Sequence, residues 1–265
     1  MPAVEHPLMT ARPAAPRGED SASAVKTLTK ALGVLEAVAR CDHPPTVGEL
    51  AGMLGLPRPT VYRLVQTLVG TGFLQQSPND ARISMGFAVL PLASSLLDRN
   101  RLRLESLPHL QALAQKINER VNLGVLHRDH VLVSGGVEKP SPPTIYSRFG
   151  RAVPLHCCAL GKAMLAHLPV EEVRALLEAQ PMTARTPNTI TTVPAMEKEL
   201  EATRARGYSM EIGENSPTSL CIGAALLDRN GRPVGAISVS GKSLEALEKN
   251  AEAVMATAEI ISHML

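Results

Sequence analysis

Two groups of residues in this 265-residue chain have types and spacing suited to recognition chemistry. The first is Arg58, Thr60, Tyr62, Arg63, Gln66 and Thr67, polar or cationic side chains interleaved with Val61, Leu64, Val65 and Leu68 at helical spacing. Guanidinium groups bind phosphates or guanine edges, whereas hydroxyl and amide side chains contact base edges or methyl groups. Arg63 also suits a supporting role for the turn beside it. The second group is Glu211, Glu214, Cys221, Ser238 and Ser240, on or beside expected strands. Ser238 and Ser240 share a face because strand side chains alternate with period two. Such a face could bind a small polar molecule, and it fits an ordinary solvated face equally well.

Between these groups lies GRAVPLHCCALGK, residues 150–162, a proline-containing loop running into a helix. The N–H groups at a helix start suit an anion such as a carboxylate, although a capped structural helix has the same spacing. His156, Cys157 and Cys158 pose a different question, that of a thiol nucleophile beside a base. Adjacent side chains point in different directions and no third, orienting group is evident, so buried thiols are the better reading. Cys41, His43, His127 and His130 lack the closed four-ligand spacing of zinc. No catalytic set, metal site or cofactor is expected.

The elements needed to position these residues can be read from the same pattern. Val25, Leu28, Ala31, Leu32, Leu35 and Val38 predict an amphipathic helix ending near Arg40. Thr46 and Glu49 have capping-box spacing; Leu50, Ala51 and Leu54 then face inward, and Gly55 stops the helix. The next helix runs from Arg58 to Val69, with Pro59 tolerated in its first turn. Two short helices joined by a tight turn, the second beginning with a cation, are how major-groove readers are built. Residues 73–76 and 82–85 flank Ser77-Pro78-Asn79-Asp80 and predict a small wing. A helical connector follows over 87–117, interrupted at Asp98-Arg99-Asn100-Arg101.

Beyond residue 117, apolar strands are expected at 121–126 and 131–137, and at 208–212, 220–227 and 233–240. Helices are expected at 157–168, 171–177, 196–206 and 244–265. An antiparallel sheet with packed helices, an α+β arrangement, follows.

Bulk composition excludes several classes. At 45% apolar the chain can bury a sizeable core, and its length suits two domains. With no Trp, three Phe and three Tyr, base-stacking platforms for single strands are absent. The net charge of +2 offers no broad basic surface, so any nucleic-acid contact is a local patch. Four cysteines without CxxC spacing read as reduced thiols. No run approaches the roughly 20 apolar residues of a membrane span, and a cytoplasmic location is the expectation. Residues 1–21, holding four prolines, read as a disordered tail.

Taken together, LTKALGVLEAVA, TVGELAGMLGLPRPTVYRLVQTLVGTGFL, GRAVPLHCCALGKAMLAHLP, RTPNTITT and RGYSMEIGENSPTSLCIGAALLDRNGRPVGAISVSG, in this order, resemble the IclR family of bacterial transcriptional regulators. The resemblance covers about residues 23–241. It implies a winged helix-turn-helix domain over 22–86, the helical linker 87–117 and a GAF-like effector-binding domain over 118–265. It also implies a homodimer or dimer of dimers on double-stranded operator DNA, responding to a small organic acid from a catabolic route. Backbone groups of Ala159 and Leu160, with Glu211, Cys221, Ser238 and Ser240, fall at the implied effector positions. The chain departs from the pattern at Pro59, where a hydroxyl residue is usual, in the wing ending Ile83-Ser84-Met85-Gly86, and at Glu211, where some relatives have Asp. The competing readings are a thiol-dependent small-molecule hydrolase and a non-catalytic dimerising structural protein.

Overall fold

The structure is a computed structural model and describes residues 26–140, 148–179 and 181–265. The expected tail over 1–21 and the helix start at Val25 lie outside the described residues. The chain divides into two compact units between Arg99 and Asn100.

The N-terminal unit contains α1 (Lys26–Arg40), α2 (Val47–Leu54), α3 (Arg58–Gly70), β1 (Leu74–Gln76), β2 (Ile83–Met85) and α4 (Val89–Arg99). The Thr46 Oγ1 accepts from the Glu49 N–H at 3.3 Å and the Thr46 N–H donates to Glu49 Oε2 at 2.6 Å, so the capping box closes both ways. Gly55 ends α2 at φ 62°, the left-handed conformation that lets the chain turn directly into α3. Val61, Leu64, Val65 and Leu68 are the buried stripe of α3 and pack with Val34, Val38 and Leu50. The stripe expected on α1 is turned in part: Val38 is buried and Ala31 and Leu35 pack partly buried as expected, but Leu28 and Leu32 are 59% and 51% exposed and Val34 takes a core position. Leucines on both sides of this helix made its periodicity ambiguous.

The wing pairs β1 with β2 antiparallel, Leu74 opposite Met85. It is fastened to the entrance of α2 by the Ile83 N–H donating to the Pro45 carbonyl at 2.8 Å and by Arg82 Nη1 donating to the Pro44 carbonyl at 2.7 Å.

The C-terminal unit runs through α5 (Arg101–Ile117), β3 (Arg120–His127), β4 (His130–Val137), β5 (Ala152–Pro154), a 3-10 turn (Leu155–Cys157), α6 (Ala159–Leu165), α7 (Val170–Glu178) and α8 (Val193–Arg206). It continues with β6 (Ser209–Ile212), β7 (Leu220–Leu227), β8 (Pro233–Ser240), α9 (Leu244–Lys249) and α10 (Ala251–Met264). The strands form one antiparallel sheet in the order β5-β4-β3-β8-β7-β6. Leu110, Leu113, Ile222, Leu226, Val239 and Val254 form the core on one face, under α5 and α10. Leu160, Met164, Met196, Leu200 and Ala236 belong to a second core on the other face.

Three boundaries differ from the sequence reading. The stretch 87–117 is two helices: Asn100 caps α5 by accepting from the Arg103 N–H at 2.9 Å, and α5 belongs to the C-terminal unit. The final helix is broken at Asn250, whose Nδ2 donates to the Ala246 carbonyl at 2.8 Å, while its N–H donates to the Leu247 carbonyl. The side chain thereby takes the acceptor that helix continuation requires. The three-residue strand β5 is too short to show alternation and was not expected.

Candidate functional site

On α3 the buried stripe fixes what faces outward. At 100° per residue, the direction opposite Val61, Leu64, Val65 and Leu68 falls on Pro59, Arg63, Gln66 and Gly70. Tyr62 and Thr67 flank that line, Arg58 lies at its upstream edge, and Thr60 is half-buried on the far flank. Arg63 is exposed, which rules against a buried supporting role. The Thr67 hydroxyl donates to the Arg63 carbonyl at 3.0 Å. Gln66 Nε2 donates to Gln76 Oε1 at 3.1 Å, tying the helix to the wing. Of the six expected contacts, Tyr62, Arg63, Gln66 and Thr67 therefore share one exposed face, with Arg58 and Thr60 at its margins.

The second group meets on the α6 side of the sheet. Glu211, Cys221 and Ser240 are successive cross-strand partners, and Asn122, Ser238 and Gly223 form the adjacent row. Asn122 Nδ2 donates to Ser238 Oγ at 3.1 Å and to Ser240 Oγ at 3.2 Å. Each serine therefore uses its oxygen as acceptor and keeps its own proton for another partner. Cys221 Sγ lies 3.3 Å from Ser240 Oγ. Burying such groups is tolerable only when they bond one another, which these do.

The helix above this face is held close. The Ser209 hydroxyl donates to the Ala159 carbonyl at 2.6 Å and lies 3.2 Å from the Gly223 carbonyl. A Cβ at Gly223 would stand 3.1 Å from the Ala159 carbonyl oxygen, a tight contact, and one at Gly161 only 2.2 Å from the Leu155 carbonyl oxygen, so the turn of the chain into α6 requires glycine at 161. Cys158 caps α6: its sulfur accepts from the Gly161 N–H at 3.3 Å, and its carbonyl from the Lys162 N–H at 3.0 Å. The N–H groups of Ala159 and Leu160 are left without an intrahelical acceptor.

Glu211 organises the loop beyond β6. Its Oε1 accepts from the Glu214 N–H at 3.0 Å, the Asn215 N–H at 3.1 Å and the Ser219 hydroxyl. Segment 185–189 closes over the loop: Thr186 Oγ1 donates to the Gly213 carbonyl at 2.6 Å and Thr189 Oγ1 to the Glu214 carbonyl at 2.7 Å. Lys162, 1% exposed, donates to Glu214 Oε1 at 2.6 Å and lies 3.5 Å from Glu199 Oε1. Burial pushes the Glu214 carboxyl above its ordinary range despite the opposing pull of Lys162.

The thiols are protonated by the same physics. Burial pushes Cys157 and Cys221 up to about 12, and raises Cys158 as well. His156 Nε2 lies 3.2 Å from the Thr183 carbonyl. A thiolate nucleophile has no support here.

Residues 27–78 match the IclR helix-turn-helix domain, and residues 94–263 match the bacterial transcriptional regulator IclR C-terminal domain. The chain belongs to the IclR family. It is 33% identical over 217 residues to the glycerol operon regulatory protein of Streptomyces coelicolor, covering 82% of this chain and 85% of that one. It is 32% identical over 219 residues to the transcriptional repressor IclR of Escherichia coli, covering 82% and 80%. Among solved structures, the IclR of Thermotoga maritima superposes with a TM-score of 0.67 at 29% identity, covering 91% of this chain and 98% of that one. An IclR regulator from Alicyclobacillus acidocaldarius gives 0.79 at 25% identity, covering 90% and 98%. The chain is thus a DNA-binding transcriptional regulator with an N-terminal winged helix-turn-helix and a C-terminal GAF-like domain.

Sequence reasoning missed Asn122, Ser209, Thr186 and Thr189. Asn122 had a signal, an amide inside the apolar run VNLGVL. The two threonines had none outside the family motif RTPNTITT, because their acceptors are backbone carbonyls 25 to 28 residues away.

Proposed function

We propose that this IclR-family regulator binds its operator as a homodimer or dimer of dimers in the cytoplasm and releases or reorients on it when a small organic acid binds the C-terminal domain. Arg58, Thr60, Tyr62, Arg63, Gln66 and Thr67 supply the DNA contacts, and a catabolic operon is the regulated target. The acid's carboxylate sits against the Ala159 and Leu160 N–H groups, and its remainder faces Glu211, Cys221, Ser238 and Ser240. No bond is made or broken. The effector acts by favouring one arrangement of the paired DNA-reading domains over another.

The observation that carries this reading is the polar row of buried Glu211 and half-buried Cys221 and Ser240, joined through buried Asn122 to buried Ser238 beneath the start of α6. A sheet face built only for packing would be apolar there. Among the described residues no helix is long and apolar enough to cross a bilayer. The test is a mobility-shift titration on the chain's own upstream DNA with small aliphatic and aromatic carboxylates. One acid should shift the operator affinity, and Ser238→Ala should remove that shift while leaving affinity without acid intact. Operator affinity that no carboxylate alters overturns the effector assignment.

A further inference from the structure

The wing reaches back to the reading helix through a chain of two amides. Gln76 Nε2 donates to the Ala81 carbonyl at 3.1 Å, and Gln76 Oε1 accepts from Gln66 Nε2 at 3.1 Å. The order of atoms is fixed by the far end. A backbone carbonyl can only accept, so Gln76 must turn its NH₂ toward Ala81 and its oxygen toward Gln66. Gln66 must then direct an N–H at Gln76. Its carbonyl oxygen and second N–H remain, and Gln66 stands on the exposed face of α3.

Helix-turn-helix readers of the homeodomain type contact bases from one face at positions spaced i, i+3, i+4 and i+7. On α3 those are Pro59, Tyr62, Arg63 and Gln66. Pro59 brings no polar group, which leaves Tyr62, Arg63 and Gln66 as the side chains at those positions able to read a base. An amide offering one acceptor and one donor side by side matches the N6 donor and N7 acceptor of adenine in the major groove. We propose that Gln66 reads an adenine in each operator half-site and that Gln76 is a positioning residue that holds the Gln66 amide in the orientation for it. This rests on the assignment of α3 as the operator-reading helix and names one base that it reads.

Binding-site selection from a randomised duplex library, using the full-length protein, tests this, followed by affinities for single base-pair replacements in the selected site. The wild type should enrich a motif in which one A·T pair per half-site contributes about tenfold or more. Gln66→Ala should lose the preference at that pair alone. Gln76→Ala should weaken it at the same pair, whereas Gln76→Glu, which keeps an oxygen acceptor for Gln66, should retain it despite lower affinity for all duplexes. Unchanged unfolding midpoints would separate positioning from loss of fold. An enriched motif whose preferences survive Gln66→Ala, or survive Gln76→Ala in full, overturns this inference while leaving operator reading intact. Enrichment of no motif by the wild type overturns the operator assignment and this inference with it.

Discussion

The outer face of α3 and the α6 side of the sheet solve opposite problems with similar side chains. On α3, Tyr62, Arg63, Gln66 and Thr67 stand in water and their orientation depends on few partners, such as the amide pair from the wing. On the sheet, Glu211, Ser238 and Asn122 are buried and bond one another or nearby backbone. An exposed face can meet a large polyanion without first losing internal bonds. A buried one must be complete before its ligand arrives, so its geometry is fixed by the fold. Changes on α3 should therefore alter binding without altering stability, and changes around α6 should do both.

The largest effect should come from Gly161→Ala, because the added methyl would meet the Leu155 carbonyl oxygen at 2.2 Å, which is backbone and cannot swing aside. A loss of about 3 kcal/mol in chemical denaturation of the full chain is expected, with the response to effector lost as well. Arg63→Ala comes next. Operator affinity should fall by about 1–3 kcal/mol in a mobility-shift assay, with the unfolding midpoint unmoved.

Ser209→Ala removes the hydroxyl that joins α6 to the sheet and should cost about 1 kcal/mol in denaturant unfolding, read against Thr67→Ala on α3, where almost no loss is expected. The smallest effect is a pH dependence. Burial, aided by Arg185, holds His156 below its ordinary 6.5, although the Thr183 carbonyl pulls the other way. Between the lowered folded value and 6.5 the unfolded chain binds a proton that the folded chain refuses. Stability contributed by neutral His156 is therefore present above that window and is lost as pH falls through it. His167, lowered by burial and then by Arg204, acts in the same direction. Thermal midpoints should rise with pH across this range, and His156→Gln should flatten the rise.

The sequence was most legible where one residue type has one structural meaning. Thr46, Glu49 and Gly55 announced both ends of α2, and Asp228-Arg229-Asn230-Gly231 separated β7 from β8 at the observed bounds. It was least legible where several residues could serve equally, as with the leucines of α1, or where a side chain overrode periodicity, as Asn250 does between α9 and α10. Within the sheet site, period-two alternation put Ser238 and Ser240 on one face. It said nothing of Asn122, which joins them across the β3 and β8 register, because strand pairing is a long-range property that spacing does not encode.

On the proposed function, operator reading and effector response reside in different units and can be removed separately. One experiment addresses it directly: the affinity of the full chain for its upstream operator, measured with and without the responsive carboxylate, for wild type, Arg63→Ala and Ser240→Ala. Arg63→Ala should lose affinity in both conditions, while Ser240→Ala should match the wild type without the acid and no longer shift with it. Ser240→Ala retaining the full shift, or losing operator affinity while still folded, contradicts it.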